Sequence, residues 1–400
     1  MDSQIIFHID VNSAFLSWTA IERLSAGETV DIREIPAIIG GDTSKRHGIV
    51  LAKSIPAKAY GIQTAEPVVN AFRKCPNLVM VAPNHKRYQE YSDALMAFLS
   101  DICPDIEQVS IDECYMNFAP IASRYESPEA AAHSIKNEIY ERFGFTVNIG
   151  ISDRKVLAKM ASDFQKPNKV HTLYYAEIKE KLWPLPVSEL FSCGQSSVRT
   201  LTNLGIRTIK DLAQTPPDIL ESHLKSHGIT LWNYANGIDD SVVETKQTKA
   251  KGIGNSTTLP EDVTTKESAH KILLTLAESV GKRLRESHSM AEAVCTEIKY
   301  STFRSTSHQM ILDTPTASTD SIYKHACCLF DELWDGSPIR LLGIRTTKLV
   351  SEDVPVQLGL FDYDAPISEK QHKLDAALDS IRARYGKDAI KRGSLLDSPK

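Results

Sequence analysis

Glu107-Gln108-Val109-Ser110-Ile111-Asp112-Glu113-Cys114-Tyr115-Met116-Asn117-Phe118 is the stretch on which the reading of the fold turns. Two short β-prone runs, Glu107–Ile111 and Cys114–Phe118, flank an acidic pair at the bend between them, which predicts a hairpin. Upstream, Gln4–Ile9 is a nearly continuous apolar run, read as a buried strand ending at Asp10. Downstream, Ser127-Pro128-Glu129 supplies an N-cap followed by proline at the first helical position. The helix it opens carries Ala132, Ile135, Ile139 and Phe143 on one face, and Gly144 stops it. Phe145–Ile151 is another apolar strand, and Ser152 is the expected cap of a helix running to about Phe164. Strand, helix, strand, strand, helix, strand is the order of a split βαβ, ferredoxin-like sheet. About 100 residues separate its first two strands, room for a small insertion at Arg33–Cys75.

Beyond Pro184-Leu185-Pro186 the composition changes. Residues 187–238 read as short helices broken by Gly194, Gly205, Pro216-Pro217 and Gly228, and the polar stretch Asp239–Gly252 reads as a linker. Residues 253–350 again give strand, helix, strand, strand, helix, strand, with helices expected at Thr264–Ser287 and Ser318–Trp334. The last fifty residues hold an apolar cluster, Val356–Phe361, and a helix from about Ser368 to Tyr385.

At roughly 150 residues per domain, 400 residues suggest two to four domains. With 42% apolar and 24% charged residues the composition is that of a globular chain, neither collagen-like nor disordered. No apolar run approaches the roughly 18–20 residues of a membrane span, and Met1-Asp2-Ser3-Gln4 lacks a basic secretory n-region, so a cytoplasmic protein is expected. Seven scattered cysteines without a C-x-x-C pair argue against a disulfide framework or a zinc site. A net charge of −5 speaks against retention on nucleic acid by bulk charge alone; such a function would need local basic patches or an outside tether.

Asp10, Asp112 and Glu113 would meet at one edge if their strands are neighbours. Carboxylates clustered on a rigid sheet suit two Mg²⁺ ions for in-line phosphoryl transfer, although strand-end and turn acids are also ordinary surface features. The surrounding residues favour the chemistry. Ser110-Ile111-Asp112-Glu113-Cys114-Tyr115 closely resembles the S-I-D-E-x-Y signature of Y-family DNA polymerases, the translesion enzymes of DNA polymerase IV and UmuC type. Ile9-Asp10-Val11-Asn12-Ser13-Ala14-Phe15 resembles that family's first metal motif. Gly150-Ile151-Ser152 with Lys155, Ala158 and Lys159, then Lys166-Pro167-Asn168, resembles its third. Order and spacing agree over about residues 4–361.

The resemblance implies an α+β multidomain chain. Its parts would be a ferredoxin-like palm at 1–32 and 76–170, small fingers at 33–75, and a helix–hairpin–helix thumb at 171–238. A linker at 239–252, an α/β little finger at 253–350 and a tail at 351–400 would follow. It further implies Asp10, Asp112 and Glu113 as catalytic metal ligands, with the Val11 carbonyl a fourth ligand. Phe15 would be the steric gate, because a ring under the sugar leaves no room for a 2′-hydroxyl. Lys166 would bind the triphosphate as a point charge. Two departures stand out. The fingers run usually spelled Y-E-A-R is Ile55-Pro56-Ala57-Lys58, so Lys58 keeps the charge without the bidentate fork and Ile55 brings no hydroxyl. Asn12 stands where many members have a second aspartate.

Leu190–Asp211 reads as a helix–hairpin–helix with hairpin Ser192-Cys193-Gly194-Gln195, whose amides, Gly194 among them, would hold a DNA phosphate. Lys299-Tyr300-Ser301-Thr302-Phe303-Arg304 and Arg340-Leu341-Leu342-Gly343-Ile344-Arg345 would be neighbouring strands turning Lys299, Arg304, Arg340 and Arg345 toward the DNA backbone. Gln357-Leu358-Gly359-Leu360-Phe361 resembles the Q-L-x-L-F peptide that binds the bacterial sliding clamp: Leu358, Leu360 and Phe361 would fill an apolar groove and Gln357 its rim. The terminal helix puts Leu374, Leu378, Ile381 and Tyr385 on one stripe; it would cap the last domain, the preferred reading, or dock a partner. The leading reading is a monomeric, low-fidelity translesion DNA polymerase without proofreading, acting on primer–template DNA and dNTPs with two Mg²⁺ ions. A nucleotidyl cyclase-like palm enzyme and a non-catalytic DNA- or clamp-binding homologue remain alternatives.

Overall fold

The computed structural model describes residues 4–41, 48–246, 250–353, 367–386, 389–390 and 392–393. The chain divides into two units, residues 1–41 with 48–247 and the remainder. The first runs β1 (Ile6–Val11), α1 (Ala14–Ser25), β2 (Ala37–Gly40), β3 (Val50–Lys53), α2 (Ile55–Ala59), α3 (Val68–Lys74), β4 (Val79–Val81) and α4 (His85–Ile102). It continues through β5 (Ile106–Gln108), β6 (Glu113–Asn117), α5 (Pro128–Phe143), β7 (Val147–Ser152), α6 (Lys155–Asp163) and β8 (Val170–Thr172). Four helices close it: α7 (Gln195–Asn203), α8 (Ile209–Gln214), α9 (Pro217–Leu224) and α10 (Ser226–Ala235). The second unit comprises β9 (Gly252–Val263), α11 (Lys266–Glu286), β10 (Ser289–Tyr300), β11 (Ser305–Thr316), α12 (Thr319–Leu333), β12 (Ile339–Ser351) and α13 (Ile367–Tyr385).

β1 is the middle strand of a five-stranded sheet ordered β5-β6-β1-β7-β8, antiparallel to both neighbours. All six of its residues are buried. Alternation sends Phe7, Ile9 and Val11 into the core with Trp18, Leu99, Ile135 and Ile139. Ile6 on the other face packs with Tyr115 and Ala158, so His8 and Asp10 lie on the α6 side. The strand runs one residue past Asp10 because the Val11 amide donates to the Asp112 carbonyl at 3.0 Å. The hairpin is also tighter than its sequence suggests. Val109 and Ser110 both donate to the Glu113 carbonyl, at 3.1 and 3.2 Å, which ends β5 early and leaves Ser110–Asp112 as the bend.

α5 begins and ends as read: the Ser127 hydroxyl accepts from the Ala130 amide at 3.1 Å, and Gly144 takes a φ of 76°. α6 does not begin as read. Ser152 closes β7, fully buried, with its hydroxyl spent on the Leu173 carbonyl at 2.6 Å, and the helix starts at Lys155. β2, β3 and β4 form a separate three-stranded sheet in the order β3-β2-β4, which takes in Val79–Val81 beyond the insertion's expected end at Cys75. Leu16 and Ala20 of α1 pack on it with Ala37 and Ile39. The helices α7 to α10 close around Leu182, Leu201, Leu212 and Leu231, a core that also receives Leu157 and Met160 of α6.

In the second unit β11-β10-β12-β9 form one antiparallel sheet. α11 and α12 cover one face through Leu273, Val280 and Phe330 against Ile298 and Leu342. α13 packs on its own unit, but not through the apolar stripe. Its stripe faces outward: Leu374 is 49% and Tyr385 66% exposed. The helix docks instead by charge, the Arg285 guanidinium donating to Asp379 at 2.7 Å and Arg382 to Glu278 at 2.9 Å. Asp375, 1% exposed, accepts the Thr319 amide at the start of α12 at 3.1 Å. A helical wheel locates the apolar stripe but not the neighbour, and here the neighbour is ionic. No helix among the described residues is long and apolar enough to cross a membrane.

Gly150 sets how closely α6 lies on the large sheet. A Cβ there would sit 2.0 Å from the Ala158 carbonyl and 2.4 Å from the Ser162 amide, both backbone atoms. Gly150→Ala is therefore expected to cost about 3 kcal/mol, the upper end of overpacking. Urea unfolding checks this: the midpoint should fall with an unchanged slope, and an unmoved midpoint would contradict the close approach.

Candidate active site

The acidic edge is assembled by strand register. Asp10 pairs directly with Glu113 across β1 and β6 and with Asn148 across β1 and β7. Asp112 precedes Glu113 on the bend, its carboxylate accepting the Ser110 hydroxyl at 2.6 Å. Burial, joined by the negative charge of Asp10 and Glu113, pushes the Asp112 carboxyl up; the Ser110 hydrogen bond opposes this.

Cations from α6 and the loop after it answer that charge. Lys159 donates to Glu113 Oε2 at 2.7 Å. Lys166 is ion-paired with Asp10 and lies 2.8 Å from Asp163. Burial pulls the Lys166 ammonium down, but Asp10 and Asp163 outweigh it and the net shift is upward. His8 stands on the same face of β1, with Nδ1 2.8 Å from the Ser162 hydroxyl and Nε2 3.4 Å from Glu113 Oε2. Contact with His8 and then the Lys159 ammonium bring the Glu113 carboxyl down to about 2, against burial. Burial itself holds His8 below its ordinary value, so Lys159 is the permanent charge in that group. Cys114, on the opposite face from Glu113, is fully buried and its thiol is pushed up to about 12.

Lys159, His8 and Ser110 were not singled out as site residues. Lys159 had a visible signal: 155, 159 and 162 share one helical face. His8 had only its two-residue offset from Asp10. Phe15 is half-buried on the first turn of α1, stacked on Tyr88 with ring centres 4.5 Å apart and planes at 11°. Thr19, one turn on, donates to the Phe15 carbonyl at 2.7 Å and meets the Tyr88 hydroxyl at 2.8 Å. Lys58 is exposed on α2, whose N-cap Ser54 accepts the Ala57 amide at 3.1 Å.

Gly194 is the N-cap of α7, and Ser192 takes the left-handed turn before it, with a φ of 69°. In the second unit, Arg345 pairs with Cys295 on the uncovered sheet face, at a shallow cavity of about 560 Å³ also lined by Gly254, Ser256, Glu297 and Ser307. Lys299 and Arg340 lie over the ring of Phe303, 5.3 and 4.8 Å from its centre. Phe303 is 62% exposed, and sequence reading gave it no role. Arg304 lies outside the strands, over Tyr300 and ion-paired with Asp335. Gln357, Leu358, Leu360 and Phe361 lie outside the described residues.

Among the described residues no three His, Cys, Asp or Glu side chains form a ready metal cluster. Lysines hold Asp10 and Glu113 instead. The donors are nonetheless three hard carboxylates at one sheet end, two of them raising the proton affinity of the third, which suits a hard divalent cation. Such an edge beside two ammonium groups is equipped for phosphoryl chemistry.

Comparison with known proteins agrees. Residues 9–163 match the impB/mucB/samB family and residues 250–360 that family's C-terminal domain. DNA polymerase IV of Clostridium acetobutylicum is 47% identical over 395 residues, 99% of each chain. DNA polymerase IV 1 of Bacillus subtilis is 34% identical over 398 residues, 98% of this chain and 94% of its own. A solved Y-family DNA polymerase chimera, 22% identical, shares the fold with a TM-score of 0.76 over 87% of this chain and 99% of its own. The chain belongs to the impB/mucB/samB family. It is a DNA-directed DNA polymerase of the DNA polymerase IV group, which removes the cyclase and non-catalytic readings.

The electrostatics give a test. Glu113 contributes stability that is fully present above the ordinary carboxylate value of 4.5 and is lost as pH falls toward about 2. Lys159→Met should move the Glu113 midpoint up toward 4.5, read from its side-chain carboxyl resonance. A midpoint that stays near 2 in the variant would assign the shift to His8.

Proposed function

We propose that this chain is a low-fidelity translesion polymerase without proofreading, which extends a DNA primer by two-Mg²⁺ nucleotidyl transfer from dNTPs. The observation that carries this is the cross-strand pair Asp10 and Glu113 with Asp112 at the adjoining bend, faced by Lys159 and Lys166. Asp10, Asp112, Glu113 and the Val11 carbonyl would hold the ions. Bound there, two divalent ions would supply a lowered pKa at the primer 3′-hydroxyl and charge stabilisation at the phosphorus and leaving pyrophosphate. Lys166, resting between Asp10 and Asp163, supplies a point charge to the triphosphate, and Lys58 a second from the fingers. Phe15, backed by Tyr88, stands under the sugar and excludes the 2′-hydroxyl. The small β2–β4 sheet offers little surface for checking base-pair geometry, in keeping with low fidelity.

Lys299, Arg304, Arg340, Arg345 and the hairpin amides near Gly194 grip the DNA backbone without reading sequence. Such a grip on a chain of net charge −5 is weak and salt-sensitive. Gln357, Leu358, Leu360 and Phe361 compensate by tethering a monomeric cytoplasmic enzyme to the sliding clamp, which raises its effective concentration at the primer end.

Primer extension with Mg²⁺ and dNTPs tests the metal ligands. Asp112→Ala and Glu113→Ala should each lose at least about 100-fold in rate, the effect of several kcal/mol of charge stabilisation, with DNA affinity nearly unchanged. Retained turnover in either variant would sink the assignment. Phe15→Ala should admit ribonucleotides, measured as the ratio of dNTP to NTP incorporation; an unchanged ratio would refute the gate.

A further inference from the structure

Lys166 sits in a loop held from both sides by buried side-chain amides, and we propose that Asn12 and Asn148 are positioning residues that fix where its ammonium meets the nucleotide's triphosphate. The inference rests on the reading of Lys166 given above. Behind Lys166, the Gln165 carbonyl accepts from Asn148 Nδ2 at 2.8 Å. Ahead of it, the Asn168 amide donates to Asn12 Oδ1 at 2.9 Å and the Lys169 amide to Asn148 Oδ1 at 3.2 Å. The two side chains are joined, Asn12 Nδ2 donating to Asn148 Oδ1 at 3.1 Å. Only Lys166 and Pro167 lie between these anchors.

The network has one consistent arrangement. Asn148 Nδ2 faces two carbonyls, those of Ser162 and Gln165, while its Oδ1 faces two donors. Turning that amide over would set acceptor against acceptor and donor against donor. Asn12 Oδ1 likewise receives both the Asn168 amide and the Thr146 hydroxyl, the latter at 2.9 Å. Lys136 of α5, itself buried, donates to Asn168 Oδ1 at 2.9 Å, and the Lys169 carbonyl accepts the Ile149 amide at 3.0 Å. Every buried polar group of the two asparagines is used, and a satisfied buried network specifies one geometry. Lysine is a flexible point charge, so the loop must set the Cα from which it reaches. Asn12 directly follows β1, and Asn148 of β7 is the residue across the register from Asp10, so the sheet that aligns the carboxylates also aligns the lysine.

A merely structural role would give these amides loop stability and nothing more. Single-nucleotide incorporation by the full chain, varying dNTP, separates the two. Asn148→Ser and Asn12→Ala should each raise the KM for dNTP about tenfold while kcat changes less than about threefold. Lys166→Ala should raise KM at least as much, and adding Asn148→Ser to it should cost nothing more, because both act through one ammonium. Hydrogen exchange of the chain alone, without metal or nucleotide, should quicken at the Asn168 amide in Asn12→Ala and at the Lys169 amide in Asn148→Ser. An unchanged KM in the asparagine variants, or an additive double variant, would overturn the inference while leaving Lys166 in its role. An unchanged KM in Lys166→Ala would overturn that role first. Should Asn148→Ser fail to fold, Asn12→Ala decides both measurements.

Discussion

Mutual repulsion among three carboxylates at one end of a buried strand is the constraint around which the first unit is arranged. β1 can bring Asp10 opposite Glu113 only because it is flanked antiparallel on both sides, and that placement withdraws Asp10 from water. Unpaired, charges so placed would shift toward neutrality, as Asp112 partly does. The His8 contact and then Lys159 of α6 prevent this for Glu113, and α6 lies close enough because Gly150 lets its backbone touch β7. Fold and reactivity therefore share one contact. The helix that neutralises the edge is also the helix whose closeness the sheet must tolerate.

The second unit solves a different problem by the same means. α13 has an apolar stripe but attaches through Arg285, Glu278, Asp375, Asp379 and Arg382. With Asp375 almost wholly buried and bonded to the Thr319 amide, removing its partner would leave a stranded charge rather than a small hole. Ionic docking of this kind demands particular geometry, whereas an apolar face accepts many.

The chain's elements were largely legible in the sequence. Ser127-Pro128 and Gly144 bound a helix by local chemistry alone, and the six-residue run of β1 announced a buried strand. The acidic edge was legible too, because a bend bearing Asp112-Glu113 between two strands has few places to go. What stayed hidden depended on neighbours supplied by the fold. Ser152 looked like a cap until the Leu173 carbonyl claimed its hydroxyl. His8 looked like an interruption in an apolar run, and nothing local revealed that Glu113 would lie beside it. The α13 stripe was legible as a stripe, but the charged residues through which the helix docks were not, since periodicity reports what a helix offers and not what it meets.

One further consequence follows from the depth of Cys114. A thiol next in sequence to a carboxylate of the acidic edge is an obvious weak point in a DNA polymerase, since oxidation there would introduce a polar, bulky group next to Glu113. Buried completely and held as the neutral thiol, Cys114 offers neither access nor thiolate character to an oxidant. Cys328 is the exposed cysteine among the seven and belongs to the second unit, whereas the carboxylate edge belongs to the first. Access alone therefore directs a maleimide dye to Cys328 before Cys114.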